Sequence, residues 1–197
     1  MLVPEVPPAT SERRDELLER AYQCVVANGL SGMSLRPLAA AIGSSPRVLL
    51  FLFGSKDELI RALLTRARAD EVARLATVRF ADGGDLAAVA AEVWEWLCED
   101  EHRGLLNLWM ESYARSLVEP DGPWGGFARR TVDDWLALLG EAGPNAGETE
   151  RTLVLALLRG ALMDLLATGD RERTSRAVLM GLSSLQRRLD RSRESSR

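Results

Sequence analysis

Three basic side chains, Arg36, Arg47 and Lys56, fall in the stretch from Ser34 to Lys56, which contains no acid. Cationic groups on an acid-free surface suit phosphate oxygens and base edges, so the chemistry they point to is nucleic-acid recognition. Ser34 and Ser45 each precede an apolar run as helix amino-terminal caps, and a helix amino terminus offers N–H groups and partial positive charge to a phosphate. Catalysis has a thinner basis. With a single histidine, His102, general acid–base or triad chemistry lacks partners. No phosphate-binding loop, dinucleotide glycine pattern or nucleophile elbow occurs. Cys98 and His102 stand four residues apart around Glu99-Asp100-Glu101, a spacing at which a metal ion is conceivable but which solvated acids at a helix start explain as well without one. No metal, cofactor or catalytic residue is assigned, and the chain is expected not to be an enzyme.

The net charge of −4 and pI of about 5.2 run against nucleic-acid binding at first sight. The charge is unevenly spread, however: residues through Lys56 carry +1 and the remainder −5, and the acids of the first segment are concentrated in one helix. A local basic surface is compatible with an acidic total. No stretch approaches the roughly 20 uncharged apolar residues of a bilayer span, and the start lacks a signal-peptide core, so a soluble, cytoplasmic chain that avoids membranes is expected. Cys24 and Cys98, both in apolar helical patterns, read as buried thiols rather than as a disulfide framework.

Helical periodicity must position the basic residues. After a proline-containing tail over 1–10, Leu18, Ala21, Tyr22 and Val25 mark a first helix that Asn28-Gly29 stops. A short second helix follows Ser34, with Leu35, Leu38, Ala39 and Ile42 on one stripe and Gly43 as terminator. A third begins at Ser45 with Pro46 in its first position and ends at Gly54. Ser55-Lys56-Asp57-Glu58 is a capping box opening a fourth helix through about Phe80. Beyond Asp82-Gly83-Gly84, helical segments are expected at 85–98, 102–117, 124–141, 148–168 and 171–191, with no strand. The fold class is therefore all-α. Helices two and three, joined by a tight glycine turn, have helix-turn-helix spacing, although a plain three-helix bundle shows the same stripes. On the third helix Leu49, Leu52 and Phe53 turn inward, leaving Arg47, Leu50, Phe51 and Gly54 outward. Leu50 and Phe51 then either contact thymine methyls or sugar in a groove, or pack on a neighbouring helix.

The run from Gly29 to Leu59 resembles the TetR family of transcriptional repressors, on Gly29, Ser34-Leu35, Leu38-Ala39, Gly43, Ser45, Leu49, Phe53, Ser55-Lys56 and Leu59. The likeness covers about residues 11–62; the rest resembles the family only in helix number and order. Where a Tyr-x-Tyr-Phe run is usual, Leu50-Phe51-Leu52-Phe53 stands here, so the phenol that would reach a phosphate from position 50 is missing. The resemblance implies a TetR-like three-helix DNA-binding domain over 11–56 and a helical ligand-binding and dimerisation domain over 57–192, with a tail at 193–197. Ser34, Arg36, Ser45, Pro46, Arg47, Leu50, Phe51 and Lys56 are the expected DNA contacts. The expected partner is double-stranded operator DNA, and the expected action is repression relieved by an unidentified hydrophobic or aromatic ligand. The alternative is a helical ligand-binding or interaction module without DNA binding.

In the carboxy-terminal part, residues 152–167 are apolar almost all round and must be covered on both sides. The resemblance implies that the last two helices pair across a two-fold axis in a homodimer, and Val154, Leu157, Leu158, Ala161, Val178, Leu182, Leu185 and Leu189 are the expected interface. The middle helices concentrate aromatics, read as a core or, taken as a set, as an apolar pocket lined by Trp94, Trp109, Met110, Tyr113, Trp135 and Met163. Asp164, a carboxylate in an apolar helix, needs a donor such as an arginine or a ligand group.

Overall fold

A computed structural model describes residues 8–29, 34–75 and 85–194. The described residues form α1 (Pro8–Asn28), α2 (Leu35–Ala41), α3 (Pro46–Phe53), α4 (Lys56–Leu75), α5 (Leu86–Leu97), a 3-10 turn (Asp100–His102), α6 (Arg103–Val118), α7 (Phe127–Ala142), α8 (Glu148–Thr168) and α9 (Arg171–Glu194). No strand occurs among them. The first helix begins at Pro8, inside the expected tail, because a proline is tolerated in the first turn of a helix. The expected continuation of α4 to Phe80 and the Asp82-Gly83-Gly84 turn lie outside the described residues. No single described helix is long and apolar enough to cross a membrane.

The chain divides into two compact units, and the division does not follow the expected boundary at residue 57. One unit comprises residues up to Glu71 together with Gly104–Ala128; the other comprises Val72–Arg103 and Arg129–Arg197. In the first unit Leu17, Ala21, Tyr22 and Val25 of α1 are buried with Leu38, Ala39 and Ile42 of α2, Leu49 and Phe53 of α3, and Leu59, Leu63 and Leu64 of α4. Leu17 is fully buried while Leu18 is half-buried, so Leu17 takes the place expected of Leu18 while Ala21, Tyr22 and Val25 keep theirs. Polar ties lock α1 to α4: the Tyr22 hydroxyl donates to Asp70 at 2.6 Å, and Arg66 pairs with Glu19 at 2.8 Å while lying over the Tyr22 ring. Helix α6 belongs to this unit. Its Gly104 permits that packing, since a Cβ there would stand 2.7 Å from the Val26 carbonyl oxygen of α1.

In the second unit α5, α8 and α9 pack on one another. Trp94 is completely buried and donates from Nε1 to Ser175 Oγ at 2.9 Å, joining α5 to α9. Val154, Leu155, Leu158, Leu162 and Leu165 of α8 and Val178, Leu182 and Leu185 of α9 fill the core. The two helices approach closely at Gly181, where a Cβ would come within 2.9 Å of Leu157 Cδ2.

Candidate nucleic-acid interface and ligand domain

The turn between α2 and α3 sets the geometry of the candidate DNA site. Gly43 adopts φ +68°, a conformation that costs glycine nothing, and the following Ser44 N–H donates to Ala39 O at 2.8 Å. Ser45 then caps α3, its hydroxyl accepting from the Val48 N–H at 3.3 Å, with Pro46 in the first turn as the sequence predicts. Ser34 stands at the α2 cap position in extended backbone, but its side chain makes no capping bond and is left exposed. Ser55 accepts from the Glu58 N–H at 3.1 Å at the start of α4. Only half of the expected capping box forms, because the Glu58 carboxylate turns to Arg61 instead.

With Leu49 and Phe53 buried beneath it, α3 presents Arg47, Val48, Leu50 and Phe51 outward. Phe51 is 79% exposed and Leu50 41%, so both reach solvent in this chain. Val48, 38% exposed, joins them and was not anticipated; it lies one turn before Leu52 and Phe51, on the face where the sequence reading counted only Arg47, Leu50, Phe51 and Gly54. Arg36, Arg47 and Lys56 are all exposed, and Pro46 is half-exposed beside them. None of the three cations has a hydrogen-bond or ion-pair partner among the described residues, in contrast to Arg13, Arg20, Arg61 and Arg66, each paired with a glutamate. Cations left unpaired next to two helix amino termini and an apolar stripe can meet phosphate and base edges without first breaking an internal ion pair.

The expected ligand-lining residues divide between the two units. Trp109, Met110 and Tyr113 lie on α6 in the first, where Trp109 and Tyr113 have ring centroids 5.1 Å apart; Trp109 is buried and the other two half-buried. Trp124 is buried in the same unit with Arg115 over its ring. Trp94 and Trp135 are buried in the second unit. Met163 does not join an interior set: it is 57% exposed on the outer side of α8. Trp96, which the periodicity sets on the opposite face from Trp94, is buried as well, stacked on His102 at 4.0 Å between centroids.

The expected dimer residues are also redistributed. Val154, Leu158, Val178, Leu182 and Leu185 lie in the core of their own unit, Leu157 and Ala161 are half-buried, and the Leu189 side chain lies outside the described residues. The outward apolar side chains are instead Leu153 and Met163 on α8 and Leu179 and Met180 on α9, from 45% to 70% exposed. Ala156 and Gly160 continue the α8 stripe with small residues, and nothing lies within 4 Å of a Cβ placed on Gly160.

Asp164 finds its donor. Arg173 grips it with two nitrogens, at 2.6 and 2.7 Å, and that hydrogen bonding holds the carboxyl below its ordinary range and the guanidinium above its own. Glu19 is likewise held low, by hydrogen bonds from Gln23 and then Arg66. Of the two thiols, Cys98 is buried and its proton is held more tightly because of that burial, whereas Cys24 is only half-buried, contrary to expectation.

An all-helical chain in which two short helices meet at a glycine turn, the second exposing its cation and apolar face, is a helix-turn-helix protein with a second helical unit. Residues 17–63 match the family model described as bacterial regulatory proteins, tetR family. Over those residues the chain carries the amino-terminal domain of the tetR family of bacterial regulatory proteins. No curated protein matches it by sequence. Among solved structures it is similar to a transcriptional regulator from Rhodococcus sp. Rha1, with TM-score 0.73, 21% identity, and coverage of 88% of this chain and 96% of that one. A TetR transcription regulator from Haloarcula marismortui gives TM-score 0.62 at 18% identity, covering 89% and 96%. These two establish a shared fold. The multidrug binding protein EbrR, in a complex with ethidium, is similar at TM-score 0.67 and 27% identity, covering 86% of this chain and 98% of that one.

Proposed function

We propose that this chain is a cytoplasmic repressor that binds double-stranded operator DNA as a homodimer and is released by a small hydrophobic or aromatic molecule. The observation that carries the DNA half is the outward face of α3, a helix without acids, where Arg47 stands with Val48, Leu50 and Phe51. Arg47 is suited to a guanine edge or a phosphate, and the apolar trio to thymine methyls. Ser34, Arg36, Ser45 and Lys56 flank that face and are suited to phosphates, while Pro46, which has no N–H, offers only an apolar contact. Residues 11–56 thus carry the DNA-reading role, and 57–192 the ligand and dimer roles.

Dimerisation is supported by the exposed Leu153, Met163, Leu179 and Met180, since apolar side chains grouped on two adjacent helices favour a partner surface over water. A two-fold dimer also lets two recognition helices read a palindrome. Ligand release is supported by the aromatics of α5, α6 and α7 and by the likeness to a multidrug binding protein solved with ethidium. A ligand releases DNA only by preferring a conformation in which the paired recognition helices no longer match the grooves. The missing phenol at position 50 favours a second reading, a ligand-binding module without DNA affinity. A mobility-shift experiment with DNA selected from a random pool decides between them: a retained band of defined sequence supports the repressor, and failure to select any sequence supports the module.

A further inference from the structure

The outward face of α3 is chemically lopsided. Among the side chains from Pro46 to Phe53, Arg47 alone can form a hydrogen bond, and the rest are apolar. Three of those apolar side chains reach solvent: Val48 at 38%, Leu50 at 41% and Phe51 at 79%. In a major groove the adenine edge is read by Asn or Gln and the cytosine amino group by Asp or Glu. Helix α3 has none of these residues. Its side chains can hydrogen-bond to a base only through Arg47, whose natural target is the O6 and N7 of guanine. The base feature left for apolar side chains to recognise is a methyl group on C5 of a pyrimidine.

Spacing along the helix ties the two kinds of contact together. Residues four apart are neighbours on one face, with Cβ atoms about 5–6 Å from each other, so Arg47 and Phe51 stand in line along α3. Val48, three residues before Phe51, closes the same patch. Nucleotides succeed one another about every 3.4 Å along the duplex axis, so an α3 whose Arg47 meets a guanine brings Phe51 within about two base pairs of it. Phe53 shows the contrast. It is buried, with the Arg14 guanidinium carbon 4.9 Å from its ring centroid, and has no part to offer a groove.

We propose that α3 reads C5-methyl groups, with Leu50 and Phe51 as the specificity-determining side chains, so that thymine and 5-methylcytosine are both favoured at one position of the half-site over uracil and unmodified cytosine. This rests on the operator-binding reading given above and adds to it the chemical group recognised and a mode of regulation, since C5 methylation of a cytosine at that position strengthens binding. Thymine and cytosine differ at C4, an oxygen against an amino group, and an apolar side chain has neither donor nor acceptor with which to tell them apart. What it registers is the methyl, whose burial is worth about fourfold in affinity.

The test uses the full-length chain and a duplex selected from a random pool, with binding followed by fluorescence anisotropy. Each thymine of the selected half-site is replaced in turn by deoxyuridine, which removes the methyl and leaves base pairing and the O4 acceptor in place. At least one replacement is expected to weaken binding about fourfold. That position should lie within about two base pairs of a guanine at which 7-deazaguanine, lacking the N7 acceptor, weakens the wild type but not Arg47→Ala. With the opposite base changed to guanine, cytosine there should bind weakly and 5-methylcytosine should recover about fourfold over it. Phe51→Ala or Leu50→Ala, both at positions that reach solvent, should bring the thymine-to-uracil ratio to about one, whereas Arg47→Ala leaves that ratio standing. The proposal is overturned if no deoxyuridine changes wild-type affinity, or if both alanine variants bind more weakly with the ratio intact, the behaviour of a wedge between bases rather than a methyl reader. Those results leave the operator reading in place; a pool that yields no sequence overturns that reading and this one with it.

Discussion

Replacing Met163 by arginine separates the cost of dimerisation from the cost of folding. In the single chain Met163 is 57% exposed, so the new guanidinium remains hydrated and the substitution should change unfolding stability by no more than about 0.5 kcal/mol. If the outer stripe of α8 and α9 is the two-fold interface, the same guanidinium is buried in the dimer without a counter-ion. The nearest carboxylate in sequence, Asp164, is already held by Arg173, and the exposed Glu172 of α9 is paired with Arg176. An uncompensated buried charge costs several kcal/mol; at about 3 kcal/mol each, the two copies that symmetry requires cost about 6 kcal/mol. At about 1.4 kcal/mol per decade the dimer Kd rises roughly 10⁴-fold, which turns a nanomolar dimer into a monomer at micromolar concentration. Sedimentation velocity reads the assembly state, and circular dichroism checks that the helices persist. Leu185→Arg serves as the contrasting variant, because Leu185 is 6% exposed inside its own unit and its replacement should unfold the chain rather than merely split it. A Met163→Arg protein that remains dimeric at micromolar concentration, or a wild type that is already monomeric there, refutes the assignment of this face.

Three further outcomes are expected. Ser45→Ala removes the hydroxyl that accepts from the Val48 N–H and should destabilise the first unit by about 1 kcal/mol, read as a lower urea midpoint with an unchanged slope. Asp164 and Glu19 have folded-state carboxyls held below their ordinary range, so their contribution is present above the unfolded value of about 4 and is lost as pH falls through the lowered folded values. Asp164→Asn should therefore lower the melting temperature at pH 7 and converge with wild type near pH 2, whereas a constant offset across that range would remove the ion pair from the explanation. A hydrophobic or aromatic compound that binds the free chain by tryptophan fluorescence should bind about 5- to 150-fold more weakly when operator DNA is bound, the reciprocal of a coupling of about 1–3 kcal/mol, and equal affinities in the two titrations would rule out ligand release by that compound.

The elements were legible where local chemistry sets them. Ser45-Pro46 before α3, the glycine at 43 and Ser55 before α4 fix helix ends within a few residues, so the helix-turn-helix could be read directly. The outward face of α3 was legible too, because one buried stripe of Leu49 and Phe53 leaves little choice about the other side. Orientation failed on α8. That helix is apolar almost all round, so periodicity carries no information about which face meets its own unit and which meets solvent; Val154 and Leu158 were expected outside and Met163 inside, and the packing of α5 and α9 reverses both. The expected ligand residues divide between the two units for a different reason. Trp109 and Tyr113 are near Trp94 in the sequence, but α6 packs with α1 across a contact at Gly104 that no short-range pattern encodes. His102 was considered with Cys98 among solvated acids, and nothing in its spacing announces that its Nδ1 lies 2.8 Å from the Trp96 carbonyl oxygen.

The central claim, that α3 reads operator DNA, is tested most directly by equilibrium binding of wild type, Arg47→Ala and Lys56→Ala to a DNA sequence selected from a random pool, measured across a range of salt concentrations. Arg47→Ala is expected to lose about 1–3 kcal/mol on the selected sequence and relax preference at the base it reads. Lys56→Ala should instead weaken all sequences alike and reduce the salt slope by about one. Affinity and salt slope identical to wild type in both variants would contradict the account.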